Sequence, residues 1–312
     1  MSEPVIAITL GDPAGIGPEV IIKAHHELLK TGAAINALVV GDLEHLRAVS
    51  ESLGLQTDLL AIDESDAPRV PHILYERKGA LPVIDLENVE RDALEFGKPD
   101  MFTGKASIDY ISAALQLAKS GSVSALATAP VSKKAINEAG FAFSGHTELI
   151  ARALGATDYA MMFVCPSLRV FLLTTHIPLS KVPSQVTRQN VRRLIFLADR
   201  TLARFFGIEK PKIAACGLNP HAGEEGVIGP EEEREIMPAI TDARSDGIEV
   251  EGPMPADTVF TPANAARFDA VITMYHDQGL IPVKMADFAH AVNVTVGLPL
   301  VRVSVSHGTA ND

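Results

Sequence analysis

Three apolar runs that each stop at a histidine restrict this chain more than any other feature of it. Residues 170–176 (VFLLTTH), 212–221 (KIAACGLNPH) and 270–276 (AVITMYH) read as β-strands whose carboxyl ends carry His176, His221 and His276. Helical patterns separate them, which predicts a mainly parallel sheet with helices between the strands, an α/β fold in two lobes. In open α/β sheets ligands sit in the crevice outside the carboxyl ends of the strands. Imidazole is the commonest side-chain ligand for borderline metals, and three of them leave coordination positions for a substrate. The three histidines therefore read as one metal site holding a substrate, or as unrelated residues, since no HxH or HExxH spacing forces them together.

From the start of the chain, residues 5–10 read as a buried strand and 18–29 as a helix with Pro18 near its first turn, a position the ring tolerates. Between them Gly11, Gly15 and Gly17 are spaced G-x3-G-x-G, which is not the dinucleotide fingerprint G-x-G-x-x-G. That turn is either a tight structural one or an anion-binding loop. A strand at 37–40 and a helix at 43–53, ended by Gly54, follow. The charged, proline-dotted stretch 65–98 reads as irregular connection with short strands. Next come a helix at 106–119, a strand at 125–128 and a helix at 133–139. Gly145-His146-Thr147-Glu148 then stands at a helix start, where donors meet a phosphate or where Thr147 is only a cap and His146 is exposed. A long amphipathic helix at 188–206 closes at Gly207. Glu231, Glu232 and Glu233 read as a solvated helix start, because acids in a first turn favour the helix dipole. The lobes are expected at 1–125, completed by 283–312, and at 126–282, which carries the histidines.

Charge and cysteine usage narrow the partners. With 27 Lys and Arg against 39 Asp and Glu, the formal net charge is −12. Such a field attracts neither nucleic acid nor an anionic membrane, so an anionic small molecule needs a local cluster of cations or a metal. No apolar run approaches the roughly 18 residues that span a bilayer. The start is acidic where a signal peptide would be basic. Cys165 and Cys216 lie far apart beside apolar runs and read as buried thiols in a reducing compartment. The expected location is the cytoplasm.

Several motifs occur together in one order over nearly the whole chain: the turn from Gly11 to Glu19, Ser144-Gly145-His146-Thr147-Glu148, Thr175-His176, Asn219-Pro220-His221-Ala222-Gly223-Glu224, Pro255-Ala256-Asp257-Thr258, Tyr275-His276-Asp277-Gln278-Gly279, Val292-Asn293-Val294-Thr295, Gly297-Leu298-Pro299 and His307-Gly308-Thr309-Ala310. With them the sequence resembles the 4-hydroxythreonine-4-phosphate dehydrogenase family of pyridoxal phosphate synthesis, including related 4-phospho-sugar-acid dehydrogenases. The resemblance implies a fold like that of isocitrate and isopropylmalate dehydrogenases, two α/β lobes with the active site in the cleft between them. It implies that His176, His221 and His276 bind a divalent metal, the third being contributed across a dimer interface. It implies substrate contacts from His146, Thr147, Lys284, Asn293 and Arg302, and cofactor contacts from His307, Gly308 and Thr309. Zinc suits the imidazoles, with magnesium, manganese or cobalt as substitutes, and the resemblance implies NAD as the cofactor, with NADP as the variant.

The implied reaction is oxidation of 4-hydroxythreonine 4-phosphate (4-phosphooxy-L-threonine) with decarboxylation to 3-amino-2-oxopropyl phosphate. Alternatives are 4-phospho-D-threonate or 4-phospho-D-erythronate, an aromatic dihydrodiol carboxylate, or a catalytically inactive metal-binding module. The His146–Thr147 pair favours a phosphorylated substrate. Arg302 and Lys284 supply positive charge for carboxylate or phosphate. Asp257 is placed either for acid/base work or for a structural salt bridge, and Lys284 is the second catalytic candidate. Two departures stand out. The family continues past the His-Gly-Thr-Ala-x-Asp motif, whereas this sequence stops at Asp312, as a truncated record would. Ser306 stands where the family has aspartate, and nothing in the sequence accounts for it.

Overall fold

Short apolar runs alternate with amphipathic stretches along the chain, and most runs become strands. In the computed structural model, which describes residues 3–33, 35–143 and 145–310, the strands in chain order are β1 (Ile6–Thr9), β2 (Ala37–Gly41), β3 (Asp58–Ala61), β4 (Ala80–Asp85), β5 (Ala125–Thr128), β6 (Ala160–Cys165), β7 (Leu168–Leu172), β8 (Ile213–Cys216), β9 (Val250–Met254), β10 (Ala270–Thr273), β11 (Val292–Val296) and β12 (Val301–Val305). The chain divides into two compact units. Unit 1 is Met1–Thr157 with Leu298–Asp312, and unit 2 is Asp158–Gly297. These limits differ from the expected 125/126 and 282/283. The first expected limit cuts β5, which pairs with β1 on one side and β12 on the other and so lies inside the sheet of unit 1. The second cuts the helix His276–Ala286, whose Leu280 and Val283 are buried in unit 2.

In unit 1 the strand order is β3-β4-β2-β1-β5-β12, with every neighbouring pair parallel. Parallel neighbours need crossover connections, and the helices Gly17–Thr31, Leu43–Ser52 and Met101–Lys119 serve among them. Leu10, Ile22, Leu38, Leu46, Tyr110, Ile111 and Leu126 fill the core with no exposed surface to speak of. The helix expected from 106 begins at Met101, because Asp100 accepts the N–H groups of Phe102 and Thr103 while Thr103 bonds back to the Asp100 N–H. The stretch 65–98 is less irregular than expected. It holds the helix Val70–Glu76, in which Pro71 occupies the first turn, where a backbone N–H is not needed.

Unit 2 has the order β11-β6-β7-β10-β8-β9. β11–β6 and β6–β7 are antiparallel, and β7–β10, β10–β8 and β8–β9 are parallel. The sheet is mainly parallel, as expected, with an antiparallel part at β11-β6-β7, where β6 and β7 form a hairpin across Pro166-Ser167. Successive side chains point to opposite faces. Met162, Phe171, Ile213 and Ile272 belong to one buried cluster with Leu194 and Ile195 of the helix Arg188–Phe206 and Ile240 of the helix Met237–Ser245. Met161, Phe163, Val170 and Leu172 belong to another with Leu280 and Val283. The helix Arg188–Phe206 starts where the Thr187 hydroxyl accepts the Asn190 N–H and stops at Gly207, at φ 69°. Replacing fully buried Leu194 by alanine is expected to cost about 2–5 kcal/mol of unfolding free energy, read from urea melts, and a loss below 1 kcal/mol would contradict its place in the core.

Among the described residues no helix is long and apolar enough to cross a membrane. Cys165 and Cys216 are free and buried, and burial pushes the Cys216 thiol up.

Candidate active site

The strands β7, β10 and β8 lie side by side and parallel, so their carboxyl ends share one edge of the unit 2 sheet. The histidines follow those ends rather than finishing the strands. His176 lies in the loop after Leu172, His276 opens the helix His276–Ala286, and His221 sits in the turn Pro220–Gly223. The rings of His176 and His276 stand 5.6 Å apart between centroids. Nδ1 of His276 bonds Asp277 Oδ1 at 2.6 Å, which leaves Nε2 outside that bond. The Thr174 hydroxyl donates to the Met274 carbonyl at 2.7 Å, strapping the loop of His176 to that of His276. Among the described residues no group of three or more His, Cys, Asp or Glu side chains is placed to hold a metal, so one chain brings two imidazoles together and leaves His221 outside the pair. Paired imidazoles, one of them oriented by a carboxylate, are a donor set that fits a borderline divalent cation.

The reading of the three glutamates as a solvated run is corrected for Glu232, which is only 2% exposed. Its Oε1 accepts the N–H groups of Leu218 (2.8 Å) and Asn219 (2.7 Å), and its Oε2 accepts from Asn219 Nδ2 (2.9 Å). Those N–H groups belong to the loop that leads to His221. The sequence signal was present in an acid two residues after Pro230, but a first-turn acid is usually explained by the helix dipole alone.

Unit 1 carries a polar cluster. The helix His146–Ala153 begins at Gly145 with no side-chain cap, so Thr147 is not the cap. Thr147 is buried, and its Oγ1 accepts from an Arg302 terminal nitrogen at 3.4 Å. The other terminal nitrogen of Arg302, on β12, donates to Thr128 Oγ1 at 2.7 Å, at the end of β5. Arg302 is 2% exposed. Burial pulls its guanidinium down to about 10, with Glu148 opposing, so it remains a cation at neutral pH. Beside it, His146 Nε2 is closed off from solvent and has no hydrogen-bond partner, although the residue as a whole is partly exposed. Burial, then the charges of Arg302 and Lys133, push this imidazole down to about 3, so it is a neutral ring with an unused nitrogen next to a buried cation. Oxygens of an anion would meet both. A side chain at Gly145 would stand 2.7 Å from Glu148 Oε2 and 3.8 Å from Lys133 Nζ. Sequence reasoning missed Thr128 and Lys133; a threonine ending a strand and a lysine opening a helix are too common to single out.

Two expected outcomes follow from this cluster. Thr147→Val should raise KM for a phosphorylated substrate about tenfold and leave a dephosphorylated analogue nearly unchanged, in steady-state kinetics; equal losses on both would mark a structural role. The second concerns acid. Because the folded-state pKa of His146 lies at about 3 against the ordinary 6.5, the unfolded chain takes up a proton that the folded one refuses between those values. Stability is therefore lost as pH falls from about 6.5 towards 3. Urea midpoints for His146→Gln should decline less over that window than those of the parent; parallel declines would show that His146 titrates normally.

The remaining assigned residues lie on several elements. Lys284 is exposed, with Nζ 5.6 Å above the Phe288 ring. Asn293 on β11 keeps Oδ1 buried and without a hydrogen-bond partner. Asp257 is exposed in the first turn of the helix Ala256–Val259. His307 and Gly308 are exposed, and the Thr309 carbonyl accepts the Ile16 N–H at 3.1 Å, which sets this loop on the glycine-rich turn. In that turn the N–H groups of Asp12, Ala14, Gly15 and Ile16 all have protein acceptors. A Cβ at Gly11, where φ is 79°, would fall 2.5 Å from the Pro130 carbonyl, and one at Gly17 2.3 Å from the Leu10 carbonyl. The turn is therefore a packing device, and the anion-loop alternative finds few free donors there.

Known proteins share this sequence and fold. The family model described as pyridoxal phosphate biosynthetic protein PdxA matches residues 33–312. The 4-hydroxythreonine-4-phosphate dehydrogenase of Desulforapulum autotrophicum is 43% identical over 311 residues, covering 100% of this chain and 89% of that protein. The D-threonate 4-phosphate dehydrogenase of Salmonella typhimurium is 43% identical over 314 residues, covering 100% and 93%. The crystal structure of 4-hydroxythreonine-4-phosphate dehydrogenase from Klebsiella pneumoniae superposes with a TM-score of 0.85 at 40% identity, covering 99% of this chain and 93% of that one.

Proposed function

This chain belongs to the pyridoxal phosphate biosynthetic protein PdxA family, and on that premise we propose that it is a dehydrogenase that oxidises 4-hydroxythreonine 4-phosphate at its secondary hydroxyl, with decarboxylation to 3-amino-2-oxopropyl phosphate. The observation that carries the phosphorylated substrate is the cluster of Arg302, Thr147 and His146 in unit 1. A buried cation next to a neutral, unpartnered imidazole is matched to a phosphate dianion, and an acidic protein must provide such a pocket locally. The second reading, D-threonate 4-phosphate, is favoured by the equal identity to a relative of that name. The two substrates differ at one carbon, amino against hydroxyl, and share the phosphate.

In the proposed reaction Arg302 donates from its terminal nitrogens and Thr147 from its hydroxyl, so the phosphate fixes the reacting carbons in place. His146 Nε2 donates a third bond as a neutral ring. Asn293, with its buried side-chain oxygen, is assigned to a substrate hydroxyl or amine, and Lys284 to the substrate carboxylate or to proton transfer. Asp257 is the remaining acid/base candidate. His176, His221 and His276 would hold a divalent cation, zinc by ligand chemistry, one of the three coming from the partner chain of a homodimer; the resemblance gives that part to His276, whereas the pairing of His176 with His276 in one chain favours His221 for it. When bound, the cation supplies a Lewis acid for the charge that develops on oxygen. NAD, or NADP, would accept the hydride, with His307, Gly308 and Thr309 at its adenosine side. The fold is proposed to be of the isocitrate and isopropylmalate dehydrogenase type, supported by a glycine-rich turn after β1 that is not a Rossmann fingerprint.

A panel of 4-hydroxythreonine 4-phosphate, D-threonate 4-phosphate, D-erythronate 4-phosphate and their dephosphorylated forms, each with NAD or NADP, tests this. Reduced cofactor should form with a phosphorylated acid and not with its dephosphorylated form. No reduction with any member would leave the inactive metal-binding module as the reading.

A further inference from the structure

The turn that carries His221 is held in a backbone conformation that its residues do not favour. His221, Ala222, Glu224 and Glu225 all have positive φ, at 53°, 53°, 46° and 54°, and Gly223 and Gly226 complete the run at 80° and 84°. Four non-glycine residues in the left-handed region persist only where surrounding bonds over-determine them. Those bonds converge on Glu232. Its buried carboxylate takes two backbone N–H groups and the Asn219 side-chain amide, all donors and no acceptor, a pattern an anion satisfies. The turn is moulded to it. A Cβ on Gly223 would lie 2.6 Å from Glu232 Oε2, and one on Gly217 3.0 Å from Oε1. A second tie runs to the His276 loop. Gln278 donates through Nε2 to the Gly217 carbonyl at 2.8 Å and accepts the Met274 N–H at 2.7 Å.

We propose that Glu232 is a positioning residue, an anionic anchor that fixes the strained turn so that the His221 imidazole is presented to the metal. This rests on the reading of His221 as a metal ligand. Glu232 itself is no ligand, because its oxygens are spent on the loop N–H groups. Glu232→Gln keeps the volume but sets an NH2 group against the Asn219 amide, whose alternative orientation would turn its oxygen towards Glu231, now 2.8 Å from the nitrogen. One bond and the anchoring charge are lost.

The test is zinc affinity by chelator competition for the parent, Glu232→Gln, His221→Ala and the double variant at one protein concentration, with amide hydrogen exchange on the metal-free proteins. Glu232→Gln should weaken zinc about tenfold or more, and should speed exchange in residues 218–226 while β8 stays protected. In the His221→Ala background it should weaken zinc no further. Unchanged affinity in Glu232→Gln, with His221→Ala impaired, overturns the anchor and leaves the metal reading intact. Equal weakening in both backgrounds makes Glu232 a general structural residue and also overturns it. Unimpaired His221→Ala removes the metal reading itself, and the anchor with it. If Glu232→Gln fails to fold, Asn219→Ala, which removes only the third bond, should show the same pattern at smaller amplitude, and its absence overturns the inference.

Discussion

Arg302→Met should lower kcat/KM for the phosphorylated substrate roughly a thousandfold while leaving the fold in place. The guanidinium, near the start of β12, is buried and its terminal nitrogens already meet Thr128 and Thr147. Hydrogen bonds to charged groups are worth about 1.5–3 kcal/mol each, so two lost to a phosphate amount to about 3–6 kcal/mol of transition-state stabilisation. Stability should move the other way or not at all. Burial, against the opposing charge of Glu148, pulls this group down to about 10, a sign that the folded protein bears a cost in holding the charge, and an apolar side chain of similar length removes that cost. Kinetics and thermal melts on one preparation decide the matter. A stable variant with near-normal kcat/KM would mean that the phosphate binds elsewhere; a variant that does not fold would mean that Arg302 is structural.

The second large effect is at the histidines. His221→Ala and His276→Ala should each lose metal and turnover together, by three or more orders of magnitude in kcat, because a site reduced to two imidazoles does not retain a catalytic cation. The structure brings His176 and His276 together within one chain and no third ligand among the described residues joins them. On the proposal that a partner chain completes the site, metal affinity should depend on protein concentration. Where His221 and His276 of a site come from different chains, mixing the two inactive variants gives mixed dimers with one intact site and one doubly damaged site. About half of randomly paired dimers are mixed, so about a quarter of parent activity should return. No recovery after verified subunit exchange would place both histidines of a site on the same chain.

Features set by local spacing were legible in the sequence, and features set by distant packing were not. The helix at 188–206 could be read to its last residue, because Thr187 caps it and Gly207 ends it, both signals within the segment itself. The strands before His176, His221 and His276 could be read because each is a compact apolar run, and their adjacency in the order β7-β10-β8 gives the three histidines a common edge. The β6–β7 hairpin was invisible for a related reason: Met161 and Phe163 face one cluster and Met162 the other, so β6 is apolar on both faces and shows no alternation. Glu232 was misread because a carboxylate in a first turn has an ordinary explanation, and only the fold brings the Leu218 and Asn219 N–H groups to it. Thr128 was missed because its partner Arg302 lies 174 residues away along the chain. His146 and Thr147 were legible as a pair at a helix start, but whether they served a ligand or a cap depended on Gly145 taking the cap position.

The central claim, oxidation coupled to decarboxylation of a phosphorylated hydroxy acid, is tested most directly by stoichiometry. Purified protein supplied with zinc, NAD and 4-hydroxythreonine 4-phosphate, or D-threonate 4-phosphate if that is the better substrate, should release one carbon dioxide for each cofactor reduced. Removal of the metal by a chelator should stop both. Cofactor reduction without carbon dioxide, or turnover that survives complete removal of metal, would contradict the account.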